Sequence, residues 1–169
     1  MRLWNGWGNE DSDLTMELSS GLSMLLEALV GTGTALPQAT LNDVISKVPN
    51  TRLENHPLII TDPETRVRHS RGQSLPDWLE MHSGNVDTFP DGVAFPESSE
   101  QVRELLAHAK ENNLVVIPYG GGTSVVGHIN PENTDKPILT IDMGKMNTMM
   151  SIDTTSQLAT FGAGTPGPI

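Results

Sequence analysis

Between Asp13 and Val30 the apolar residues Leu14, Leu18, Leu22, Leu25, Leu26 and Leu29 fall three and four positions apart, the spacing of one helical stripe, and Gly31 and Gly33 follow as its stop. After Pro37, Thr40 is placed to cap a short helix through Asp43, Val44 and Lys47 that Pro49 ends, so the first fifty residues read as a small helical unit. From Thr51 to Pro90 the pattern breaks. Pro57, Pro63, Gly72, Pro76, Gly84 and Pro90 interrupt each apolar run before it reaches three turns, which predicts a connecting arm with one short helix near Leu75–Met81.

The pattern then becomes regular. Gly92-Val93-Ala94-Phe95 reads as a strand, and Ser98 or Ser99 opens a helix with Val102, Leu105, Leu106 and Ala109 on one face, closed by Asn112-Asn113. Leu114-Val115-Val116-Ile117 is a β-branched run of strand length that predicts a buried strand feeding a tight loop at Pro118 and three glycines. Ile138 to Asp142 is a further strand, and Met149–Asp153 with Leu158–Phe161 predicts a hairpin turning at Thr154–Ser156. The fold class expected is α+β: a helical N-terminal region and connecting arm over residues 1–88, then α/β structure over residues 89–169. The closing Gly164-Thr165-Pro166-Gly167-Pro168-Ile169 follows a strand directly, which predicts a chain truncated inside a domain.

Composition narrows the chemistry. The formal charge of −11 repels polyanions and points away from nucleic acid. An acidic chain that still binds phosphate does so through local donors, above all backbone amides. Without cysteine there is no disulfide, thiolate metal site or cysteine nucleophile. No run of about 18 apolar residues is present, and Met1 to Trp7 lacks a signal-peptide core, so the expected address is cytoplasmic, with no transmembrane segment.

The chemistry-bearing motif is Pro118-Tyr119-Gly120-Gly121-Gly122-Thr123-Ser124-Val125. Three successive glycines remove every Cβ from one side of the loop, their amides form a concave anion site, and the hydroxyls of Thr123 and Ser124 add neutral donors, so no positive side chain is required. The plain alternative is a flexible glycine loop between strands. The pattern is neither a Walker loop, which needs a following lysine, nor the Rossmann fingerprint. Gly31-Thr32-Gly33-Thr34 follows a helix and reads as its C-cap.

Other clusters read more plainly. Arg66, Arg68, His69 and Arg71 form a basic group expected to be a solvated face or a set of partners for nearby carboxylates, with a phosphate or a further domain as the alternative. Trp4 and Trp7 are expected to anchor the N-terminal arm. His56, His69, His82, His108 and His128 lack zinc-ligand spacing, and His108 is expected at the surface. Glu10, Asp11, Asp13 and Glu17 read as a solvated helix start and not as a calcium loop.

Trp4-Asn5-Gly6-Trp7-Gly8, Arg66 to Gly72, Phe89-Pro90-Asp91, Pro118 to Val125, Ile141 to Asn147 and Phe161-Gly162-Ala163-Gly164, in that order, resemble the alkylglycerone-phosphate synthase branch of the vanillyl-alcohol-oxidase-type flavoproteins. The resemblance implies the first α/β subdomain of a PCMH-type FAD-binding domain, with Tyr119, Gly120, Gly121, Gly122, Thr123, Ser124 and Val125 contacting FAD. It places the catalytic residues in later sequence, so none is assigned here. No histidine stands within the glycines and His128 comes a few residues later, which implies non-covalent FAD. The implied reaction of the full-length protein is exchange of an acyl for an alkyl chain on acyl-dihydroxyacetone phosphate, in ether-lipid synthesis, by an enzyme acting on a small molecule and compatible with a homodimer. This stretch alone is expected to be inactive and to hold FAD weakly. An FAD-linked oxidoreductase of 2-hydroxy acids such as lactate or glycolate is the neighbouring alternative. A non-catalytic protein-interaction module using the acidic N-terminus is the alternative of another class.

Overall fold

A computed structural model describes residues 2–10, 20–35 and 37–167. Helix α1 spans Ser20–Val30 and ends at Gly31, whose left-handed φ of 86° is the C-cap that the glycine predicted. Leu14 and Leu18 of the expected stripe, and Asp11, Asp13 and Glu17 of the acidic run, lie outside the described residues. No residue of α1 is buried. Helix α2, Leu41–Ile45, carries the expected cap as a full capping box: Asp43 N donates to Thr40 Oγ1 and Thr40 N donates to Asp43 Oδ2.

The expected connecting arm is more ordered than its prolines implied. Ile59–Ile60 forms strand β1, Pro63–Arg68 forms helix α3, and Leu75–Ser83 forms helix α4, two residues beyond the expected end. Pro63 and Pro76 stand in the first turns of their helices, where the missing N–H has no intrahelical partner to lose. Asp62 caps α3 and Ser74 caps α4 in a capping box with Asp77, so these prolines start helices where they were read as breaking them.

Strand β2 is Gly92–Ala94, helix α5 is Ser99–Glu111 with Ser98 as N-cap, β3 is Val115–Tyr119 and β4 is Ile138–Asp142. The sheet order is β1-β2-β4-β3, with β1 antiparallel to β2 and the other pairings parallel. Leu105 and Ala109 of α5 are buried, and Leu105 joins Ile59, Ala94, Leu139 and Ile141 in one core, while Leu106 of the expected face is exposed. A second core gathers Val44, Val67, Met81, Val86 and Phe89. Each of these side chains larger than alanine contributes about 1.5–3 kcal/mol on full burial.

The buried strands are β2 and, except for its last residue Asp142, β4, not β3. β3 is an edge strand with only Ile117 and Tyr119 buried, and Pro118 is accommodated there because an edge position asks for no ladder donor. The expected hairpin is present as β5, Met149–Asp153, and β6, Leu158–Phe161, all of whose residues are exposed. The whole is the mixed α+β class that the pattern implied.

Candidate functional site

The parallel register brings Tyr119, the last residue of β3, opposite Asp142, and the glycine loop leaves the sheet at that point. Among the described residues the amides of Gly120, Gly121, Gly122, Thr123 and Ser124 donate to no protein acceptor. A Cβ at Gly120 would meet nothing within 4 Å, so the backbone there is open to close approach. The loop folds around a hollow of about 200 Å³ that Thr123, Ser124, His128 and Ile129 also line. Five uncommitted donors around a hollow are what an ionised oxygen array requires. Val125 is exposed, and the Ser124 hydroxyl is already engaged, accepting from Val126 N at 3.4 Å and lying 3.2 Å from His128 Nδ1.

The segment after α3 fixes the loop. Gln73 N donates to Ser124 O at 2.6 Å, Gly72 N donates to Asn130 Oδ1 at 3.1 Å, and Asn130 Nδ2 donates to Asp77 Oδ1 at 2.6 Å. A Cβ at Gly72 would run into the Ser124 carbonyl oxygen, so only glycine permits this approach. Gly72, Gln73, Asp77 and Asn130 were not singled out from sequence as partners of the loop. The glycine ending Arg66–Gly72 and the Ser74/Asp77 capping pair were the available signals.

The basic group is not a solvated face. Arg66 and Arg71 are buried. Arg71 meets Glu80 at 2.5 Å and Asp87 at 3.0 Å, and Arg68 meets Glu64 at 2.9 Å and Glu10 at 3.2 Å, which is the carboxylate pairing also expected. Arg66 donates to the carbonyls of Pro90 and Pro49, and burial pulls its pKa below the ordinary guanidinium value. His69 lies against the end of β3, its Nδ1 2.7 Å from Thr65 O, its Nε2 2.9 Å from Asp142 Oδ2 and its ring 4.6 Å from the ring of Tyr119. His108, expected at the surface, is half-buried and packs 4.5 Å from the ring of His56.

A positive side chain stands beside the loop, although the sequence reading required none. A Cβ built on Gly122 would collide with the Tyr119 phenol and lie 3.0 Å from Arg2 Nη2. Gly122 has a φ of 67°, the conformation glycine tolerates best. Burial raises the pKa of Tyr119, with the neighbouring Arg2 charge and hydrogen bond opposing that rise. Trp4 packs against the Val44 and Phe89 core as an anchor, while Trp7 is 57% exposed and does not anchor there.

Asp91 secures the sheet end nearest the arm. Its carboxylate accepts from Arg52 Nη2 at 2.7 Å, Arg52 Nε at 2.9 Å, Arg52 N at 3.0 Å and Ile138 N at 2.7 Å. Burial alone would raise its pKa, but these donors hold it below the ordinary value.

Among the described residues no helix is long and apolar enough to cross a membrane. Residues 90–168 match the family described as FAD binding domain. The chain is 36% identical to alkyldihydroxyacetonephosphate synthase of Dictyostelium discoideum over 107 residues, and 36% identical to that of Trypanosoma brucei brucei over 109 residues, each match covering 63% of this chain and 18% of the relative. It is 32% identical over 90 residues to the mitochondrial D-lactate dehydrogenase [cytochrome] 1 of Saccharomyces cerevisiae, covering 53% of this chain and 15% of that protein. A solved structure of alkyldihydroxyacetonephosphate synthase superposes with a TM-score of 0.81 at 26% identity, over 99% of this chain and 37% of the other. The chain thus spans well under half the length of the relatives it matches. The FAD expectation agrees with these matches: residues 90–168 match an FAD binding domain, in a chain that resembles alkyldihydroxyacetonephosphate synthase in sequence and fold.

Proposed function

We propose that this chain cradles the diphosphate of FAD, without a covalent link, in the loop Tyr119, Gly120, Gly121, Gly122, Thr123, Ser124 and Val125, and forms part of a flavoenzyme of the alkyldihydroxyacetonephosphate synthase type. The observation that carries this reading is the set of five loop amides, Gly120 to Ser124, that donate to no protein acceptor around an open hollow, in a segment of FAD-binding-domain sequence. The amides bind and orient the anion, and the absent Cβ atoms let the backbone approach it. Gly72, Gln73 and Asn130 hold the loop in shape. When bound, the flavin supplies the redox and carbon-transfer chemistry that side chains lack.

The reaction of the whole protein is then replacement of the acyl chain of acyl-dihydroxyacetone phosphate by an alkyl chain. Similarity to a D-lactate dehydrogenase supports a second reading, FAD-linked oxidation of a 2-hydroxy acid. Titration of FAD into the 169-residue chain, followed by flavin fluorescence, tests the cofactor reading. Saturable binding at micromolar or weaker affinity is expected, and no binding at any concentration overturns it. With the full-length protein, bleaching of bound flavin by D-lactate favours the second reading, and alkyl-for-acyl exchange favours the first.

A further inference from the structure

We propose that Arg2 is a ligand-binding residue on the N-terminal side of the glycine loop, supplying a full positive charge to an anion held by the loop amides, and that the turn at Gly6–Asn9 covers the loop from that side. This deepens the phosphate-cradle reading and rests on it.

The arginine is placed for the task. Its Nη2 lies 3.0 Å from where a Cβ of Gly122 would stand, a position that also falls on the phenol of Tyr119, so the guanidinium and the phenol are neighbours at the loop. It lines a cavity of about 330 Å³ together with Gly6, Trp7, Gly8, Gly121 and Thr123, so the N-terminal turn and the glycine loop face one another across that space. The backbone that presents it is pinned: Arg2 bridges to Asn9, Leu3 N donates to Gly8 O at 3.0 Å, and Arg68 Nη1 donates to Arg2 O at 2.9 Å.

Its charge is also uncommitted. Arg52, Arg68, Arg71 and Arg103 each lie within 4.0 Å of a carboxylate, whereas among the described residues Arg2 has no such partner. In a chain of net charge −11, a guanidinium held without a carboxylate beside five open amides is chemically matched to an incoming anion. Amides offer only partial charges, and a diphosphate shielded from water needs full countercharge as well. The planar fork of arginine meets two phosphate oxygens at once. The ligand class is therefore a diphosphate ester, and riboflavin, which lacks phosphate, would gain nothing from Arg2.

The test titrates the 169-residue chain and its R2A and R2K variants with FAD, riboflavin and inorganic pyrophosphate at low and high salt. Flavin fluorescence reports the first two probes and phosphorus NMR broadening the third. R2A is expected to weaken FAD and pyrophosphate about tenfold each, the loss of one charge-assisted contact. It should flatten the salt dependence and leave riboflavin unchanged, while R2K recovers most of the loss. Equal FAD affinity in wild type and R2A overturns the role of Arg2 and leaves the flavin reading standing. Pyrophosphate binding that R2A abolishes, in a chain that takes no FAD, supports Arg2 and overturns the flavin reading. If R2A loses riboflavin and FAD alike, Arg2 acts only on the fold and the inference fails; if no probe binds wild type, both readings fall.

Discussion

Replacing Gly122 by alanine separates the two jobs that glycine does in the loop. At φ 67° a Cβ costs about 1–2 kcal/mol in backbone strain alone. The new methyl also falls on the Oη and Cζ of Tyr119, a side chain only 4% exposed that packs with Ile117, Ile129 and Ile138 and lies against His69. Moving a packed aromatic ring costs a further ~1–3 kcal/mol. Together these predict a loss of about 2–5 kcal/mol, which for a chain of this size lowers Tm by roughly 5–15 °C. Gly120→Ala is the matched control, since its methyl meets nothing within 4 Å and its φ is not positive, so its stability should stay within about 0.5 kcal/mol of wild type. That methyl nevertheless enters the space an anion would use, so G120A should lose FAD affinity without losing stability. Thermal unfolding followed by circular dichroism measures the first quantity, and flavin fluorescence at a temperature where all three proteins are folded measures the second. The reasoning is refuted if G122A melts with wild type, or if G120A melts as low as G122A.

Asp91→Asn turns a carboxylate meeting Arg52 and Ile138 N into an amide whose NH2 faces donors, and should cost about 3 kcal/mol by urea unfolding. The Asp91 pKa is depressed in the fold, so the unfolded chain binds more protons as acid is added; the stability contributed by Asp91 is whole above its unfolded pKa, near ~4, and drains as pH falls through the lower folded value. Urea midpoints against pH should show that acid loss in wild type and a shallower one in D91N. Asn130→Ala strands Gly72 N and Asp77 Oδ1 and should cost about 1–3 kcal/mol by the same assay, with weaker FAD binding because the tether of the loop is cut.

The elements that were legible from sequence are those whose signals are local. Thr40 and Ser98 mark their helix starts, Gly31 its helix end, and the β-branched run before the glycines its strand. Pro63 and Pro76 misled because proline is ambiguous: the same missing N–H breaks a helix interior and suits a helix start, and the deciding residues were the caps Asp62 and Ser74 just before them. The edge position of β3 was illegible because an apolar run carries no record of which strands flank it. Arg66 and Arg71 looked like surface charges because burial of an arginine depends on carbonyls and carboxylates brought from Pro49, Thr88 and Pro90, and from Glu80 and Asp87. The glycine loop was legible as a candidate cradle, whereas Arg2 beside Gly122 joins residues far apart in the chain that no spacing relates.

The bond from Gln73 to Ser124 has a consequence for the order of assembly. Strands β3 and β4 are parallel neighbours, but the loop between them is tethered by a segment some fifty residues earlier, so its final shape requires that segment to have docked. The segment precedes the loop in the chain, so closing the cradle requires the two stretches to meet. Any ligand that prefers the closed cradle would reward that step and slow its reversal.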